Sequence, residues 1–174
     1  ILQINIAIPN SENNTDNGTN YLEGIPHQKR INLLLDSARK YFDSDIVKSV
    51  YFCELAVANI DNTIIDSVKE DLYSYSSRVY VFAGNYSKAL EYIILQLKVL
   101  ERNPLVNKVK IPLGYVFLGE TFRAATDYDN ALLNIENAIR MLSPINNEES
   151  EKGLSYAYER LAAVYFEIGY KKSD

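Results

Sequence analysis

Residues 115–144 read YVFLGETFRAATDYDNALLNIENAIRMLSP. Tyr115, Leu118, Gly119 and Phe122 recur at the three- and four-residue intervals of one helix face. After a short polar break at Thr126 and Asp127, Tyr128, Ala131, Ile135 and Ala138 carry a second apolar stripe of the same period. The break is too short for another element, so the two helices must fold back as an antiparallel pair.

The same pattern recurs on both sides. Upstream, Tyr73, Ser76, Ser77 and Tyr80 repeat the first helix. Gly84, Asn85 and Tyr86 make the turn, and Ala89 and Ile93 follow on the second helix. Further upstream stand Leu34, Ser37, Ala38 and Tyr41, then Ser49, Cys53 and Ala56, joined by a turn (FDSDIVK) one residue shorter than the others. Downstream, Tyr158, Leu161, Ala162 and Tyr165 open a fourth copy, whose turn is expected at Gly169, Tyr170, Lys171 and Lys172. The small residue that lets paired helices approach is thus Ala38, Ser77, Gly119 and Ala162, at intervals of 39, 42 and 43 residues. The extra length falls after each second helix, in VANIDNTIIDSV, LERNPLVNKVKI and SPINNEESEKGL. Asn62-Thr63, Asn103-Pro104 and Ser143-Pro144 punctuate the units. Pro112 suits a first helical turn, and Glu148, Glu149 and Glu151 suit the approach to a helix N-terminus.

The order aromatic-x2-Leu-Gly-x2-aromatic, Ala-x3-apolar, Pro resembles the tetratricopeptide repeat family, with Tyr115 for the usual tryptophan and Ile135 for the usual aromatic. The resemblance implies an all-α fold: a right-handed α-solenoid of antiparallel helix pairs with about three and a half repeats. A polar leader over 1–25 would precede a helical repeat domain over 26–174, with units near 31–60, 70–103, 112–145 and a partial 155–174. A plain repeat of the family has about 34 residues. These longer units are similar to those in the N-terminal sensor regions of bacterial signalling proteins, both sensor histidine kinases and regulators. RINLLLDSARKYFDSDIVKSV resembles the opening of such sensors. The implied role is protein or peptide binding in signal transduction, in the periplasm or otherwise outside the inner membrane, without catalysis by this segment. Two alternatives stay open: a cytoplasmic peptide-pheromone receptor, and a structural scaffold in an assembly. The receptor would need an output segment before the repeats, for which residues 1–30 are too short. The start at Ile1 and the stop within a repeat suggest a piece of a longer protein.

Composition narrows the classes. With 47% hydrophobic and 24% charged residues among 174, the chain is globular, neither disordered nor membranous. Five prolines and seven glycines suit a helical protein. Net charge −5 argues against nucleic acid as a partner, since that requires a clustered basic face. No apolar run is long enough to span a bilayer. One cysteine excludes an internal disulfide and a multi-cysteine metal site. Residues 1–22 combine an alternating start (LQINIAI) with a polar tract too hydrophilic for a core, and read as a linker. Asn13 and Asn17 match Asn-x-Thr, as an Asn- and Thr-rich tract does by chance.

No catalytic residue, cofactor or metal ligand is expected. His27 has no second ligand at usable spacing and reads as a solvated histidine. Cys53 lies on an apolar face and reads as a buried, inert thiol. Asp127 and Asp129 sit where a helix N-terminus needs them. No phosphate-binding loop or nucleophile elbow occurs.

What remains is surface. If first helices line a concave side, the expected peptide groove comprises Leu35, Arg39 and Phe42, then Ser74, Arg78, Val81 and Phe82. Val116, Glu120 and Arg123 follow, and Glu159, Ala163 and Phe166 close it. Aromatics there would anchor a peptide and guanidinium groups would grip its carboxylates. The competing reading is that these charges are solvated or pair with Asp36, Asp43 and Glu120. Family members that grip chaperone C-termini use Lys and Asn where this chain has Leu35, Ser74, Arg78 and Val116, which argues against that role. A homodimer is compatible with such a module.

Overall fold

The computed structural model of the protein describes residues 22–171, with side chains through Gly169. The helices are α1 (His27–Tyr41), α2 (Ile46–Ala58), α3 (Asp66–Phe82), α4 (Tyr86–Leu100), α5 (Lys110–Ala124), α6 (Tyr128–Leu142) and α7 (Glu148–Lys171). Among the described residues there is no strand, and the fold is all-α. The alternating start and the Asn13 and Asn17 matches lie outside these residues. Leu22, read as leader, is instead buried. The chain divides into two compact units, 1–85 and 86–174.

In the first unit α1 buries Ile31, Leu34, Leu35 and Ala38, and α2 buries Ser49, Val50, Cys53 and Ala56. Small size at Ala38 lets α2 come close enough for the buried Ser49 Oγ to donate to the Ala38 carbonyl at 2.9 Å. Tyr41 stacks on Phe52 beside this contact, ring centroids 5.7 Å apart. α3 packs on both helices and contributes Leu72 and Val79, both fully buried. Asp45 caps α2 by accepting from the Lys48 backbone N–H at 3.0 Å, and this bond holds its carboxyl below the usual range.

In the second unit α5 and α6 meet at Gly119. A Cβ there would lie 2.5 Å from Ile135 Cγ1 and 2.9 Å from the Ala131 carbonyl oxygen. Ala131, Ile135 and Ala138 are completely buried, as their spacing predicts. α4 reaches α5 through Leu97, which lies over Gly114, and α6 reaches α7 through Leu142, which lies over Gly153. α7 also packs on α5, and Val116, Ala157 and Val164 join the same core cluster.

Counting from the small residue of each first helix makes the repeat visible within each unit. Five residues before it stand Leu72, Gly114 and Ala157; two after it stand Val79, Thr121 and Val164. All six are buried, and Gly114 among them meets Leu97 of the preceding second helix. In α1 these places hold Leu33, half-buried, and Lys40, exposed, and no described helix of the unit precedes α1.

The turns account for one residue of the short first spacing. α3 closes on Gly84 at φ +73° and α5 on Thr126 at φ +63°. Each left-handed residue lets the next N–H reach back: Asn85 donates to the Tyr80 carbonyl and Asp127 to the Phe122 carbonyl, both at 2.9 Å. Thr126 accepts this backbone at a conformational cost that Gly84 avoids. No left-handed residue follows α1. That helix stops three residues after Ala38, against five after Ser77 or Gly119, and a longer turn over 42–45 makes up part of the difference.

Two expectations about the last helix need correction. It starts at Glu148, ahead of the unit expected over 155–174, so the glutamates fill its first turn instead of preceding it. The reason is a reciprocal cap, in which Ser150 N–H donates to Asn147 Oδ1 at 2.8 Å and Asn147 N–H to Ser150 Oγ at 3.2 Å. At its other end the helix runs through Gly169 to Lys171, where a turn was expected. Gly169 has no left-handed φ to stop it. The stripe Tyr158, Leu161, Ala162, Tyr165 is mostly exposed, because no described helix covers it.

These contacts separate two glycines. Gly119→Ala should lower stability by about 1–2 kcal/mol, because the new methyl meets a backbone carbonyl and the gain in helix propensity does not compensate. Gly114→Ala should be nearly neutral, since it meets only the end of the Leu97 side chain, at 2.7 Å. Urea denaturation of both variants checks this.

Candidate functional site

The expected groove residues divide into three groups. Leu35 and Val116 are completely buried, so neither offers surface to a ligand. This corrects their assignment: Val116 packs with Ala157 and Val164 of α7 in one core cluster, and Leu35 is fully buried in the first unit. Ser74, Val81 and Ala163 are half-buried. The rest, Phe166 excepted, gather into two clusters, one in each unit.

In the first unit, Arg39, Phe42, Arg78 and Phe82 converge around Tyr75, which sequence reasoning passed over. Phe42 meets Tyr75 at 6.1 Å and Phe82 edge-on at 4.8 Å, centroid to centroid. Arg78 lies 5.0 Å from the Tyr75 ring and 5.3 Å from the Phe42 ring, and Arg39 lies 5.3 Å from Tyr75. The two arginines differ in their acids. Arg39 donates to both carboxylate oxygens of Asp71, at 2.8 and 3.0 Å, and to Asp36 at 3.1 Å. Burial alone would lower its pKa, but these two acids outweigh burial and raise it. Arg78 is exposed and forms no ion pair among the described residues. Phe82 beside it is 68% exposed. Burial pushes the Tyr75 phenol above its ordinary pKa, so it stays neutral.

In the second unit the centre is Glu120. It accepts from Arg123 Nε at 3.0 Å and lies 3.4 Å from Arg160 Nη1. Arg123 also pairs with Glu167, and Arg160 with Glu159. Glu120 and Glu167 outweigh the burial of Arg123 and raise its pKa. Tyr156 lies under Arg160 at 5.0 Å, its phenol raised first by burial and then by Glu120. Phe166 stands apart, 75% exposed.

The clusters occupy the same register. The residue after the small one meets the residue two before the next small one: Arg39 with Tyr75, and Glu120 with Arg160. The residue four after meets the one five after: Phe42 with Phe82, and Arg123 with Glu167. One contact set is aromatic, the other ionic. The partners missed from sequence (Asp71, Tyr75, Arg160, Glu167) lie on the following first helix, and only this register connects them.

Other candidates resolve simply. His27 is exposed, as expected, and its Nδ1 lies 2.5 Å from an Asp61 carboxylate oxygen. Asp127 caps α6, accepting from the Asn130 backbone N–H at 3.2 Å. Among the described residues no group of three His, Cys, Asp or Glu could hold a metal ion, and no helix is long and apolar enough to cross a membrane. No protein-family model matches the chain, and comparison with curated proteins returns no significant match.

Cys53 is buried, and burial pushes its thiol up to about 12. At pH 8 it should therefore resist a thiol reagent in the native protein and react stoichiometrically in denaturant. Rapid labelling of the native protein would contradict the described packing.

Proposed function

We propose that this chain is a right-handed α-solenoid of tetratricopeptide type, about three and a half repeats long, that binds a protein or peptide through the aromatic and cationic surface of its first helices. The recurrence of one contact register in both units supports the repeat reading. Arg78 carries the binding reading: an exposed guanidinium, paired with no acid among the described residues, on a chain of net charge −5 and beside the exposed Phe82. It favours a ligand that presents a carboxylate next to an apolar or aromatic side chain. In this reading the module is the sensor or interaction region of a bacterial signal-transduction protein and works outside the inner membrane. The connections after second helices (59–65, 101–109, 143–147) support the long-repeat variant typical of such regions.

Selection from a displayed peptide library, followed by affinity measurement on Arg78→Glu, tests the proposal. The wild type should enrich peptides with a carboxylate beside an apolar residue, and Arg78→Glu should bind them about tenfold or more weakly. Its helicity should hold, and stability should fall by no more than the roughly 0.5–1 kcal/mol of an exposed cation–π contact. Equal binding by the variant would refute the surface assignment, and unfolding would make Arg78 structural.

A further inference from the structure

The exposed face of α7 carries two tyrosines outside the expected groove, Tyr158 and Tyr165, next to the groove's last residue, Phe166. Tyr158 is 55% exposed, Tyr165 53% and Phe166 75%, and Ser155, Ala162 and Gly169 are exposed among them. In register, Tyr158, Leu161, Ala162 and Tyr165 correspond to Tyr115, Leu118, Gly119 and Phe122 of α5, the face on which α6 sits. It is therefore a helix-seating face, and the question is which helix it seats.

We propose that it seats the α7 of a second copy of this chain, in antiparallel pairing about a two-fold axis. The sequence of the face is complementary to itself when reversed. Ser155, Ala162 and Gly169 recur every seven residues, with Tyr158 and Tyr165 three residues after the first two. Reversed against its counterpart, Tyr158 faces Ala162 of the second copy, and Tyr165 faces Ser155. Each layer then joins one large and one small side chain. Parallel pairing would set tyrosine on tyrosine and leave gaps at the small layers.

Charge favours the same direction. α7 begins with Glu148, Glu149 and Glu151 in its first turn. Antiparallel pairing sets the acidic end of each copy beside the opposite end of the other and opposes the helix dipoles. Glu159 of each copy flanks the axis with its charge met by Arg160. Tyr165 already reaches Glu136 of α6 at 3.5 Å, so its ring is placed at the edge of the seam.

The area is of the right order. A buried aromatic covers roughly 150–250 Å², so the exposed parts of the three rings offer roughly 350 Å² per copy. With the small residues and Leu161 between them, two copies approach the roughly 1,000 Å² of a weak but specific interface. The dimer should therefore depend on concentration.

Sedimentation equilibrium of the full chain over a wide concentration series tests this directly. The expected result is a reversible monomer–dimer equilibrium, with Ala162→Glu raising the dissociation constant at least about tenfold and leaving the circular dichroism unchanged. A monomer at every concentration would overturn the proposal, as would a dimer indifferent to Ala162→Glu. Direction is read from a mixture of Tyr158→Cys and Ala162→Cys chains, since native Cys53 is buried. Disulfide-linked heterodimers are expected, whereas cross-linking of Ala162→Cys with itself alone would refute the antiparallel arrangement.

Discussion

Everything in this fold depends on how closely two helices can approach at one point. At Gly119 a single added carbon would lie within 2.9 Å of the Ala131 carbonyl oxygen, so the helix axes are as near as backbone permits. Ala38 does the same work in the first unit, where the approach is close enough for Ser49 to bond the Ala38 carbonyl. Once that distance is set, the residues three or four positions away must fill the flanks, and the aromatics do so. The pair is then wide and flat enough for a third helix to lie across it, as α3 does on α1 and α2 and α7 does on α5 and α6.

That packing order also distributes chemistry. Within each unit the two first helices touch along one edge, at positions displaced from the small residue by a fixed number of steps. The backbone geometry specifies where side chains meet but not what they are, and the two units fill it differently. In the first unit rings meet rings and guanidinium faces; in the second, three glutamates and two arginines form a connected network centred on Glu120. The ring contacts of the first edge gain from burial, whereas the Arg39–Asp71 pair beside them and the ionic edge of the second unit are partly exposed and are screened by salt.

The elements and their buried stripes were legible because helical periodicity is local: Ala131, Ile135 and Ala138 declare a face through their spacing alone. The candidate surface was less legible, for two reasons. Leu35 and Val116 sit at positions that look outward on an isolated helix pair but are fully buried in the folded chain, so tertiary packing and not periodicity decided them. Asp71, Tyr75 and Glu167 interact with residues 32 to 44 positions away, and only alignment of one repeat on another brings such partners together. The start of α7 was misplaced for a local reason. The Asn147–Ser150 cap carries no apolar residue and so is silent to a hydrophobic pattern.

The three arginines expected to line a groove show how position separates paired from unpaired charge. A guanidinium bonds through the N–H groups in its plane and stacks through its faces. Arg39 and Arg123 commit their in-plane donors to carboxylates on the next first helix, and so link helices. Arg78 rests instead against the Phe42 and Tyr75 rings. Ring contact restrains the side chain without satisfying its donors with an acid, so the cost of ordering a long flexible residue is met before any ligand arrives. Exchanging Phe42 for an acid would convert Arg78 into another internal link. An aromatic at that position keeps the cation both ordered and unneutralised.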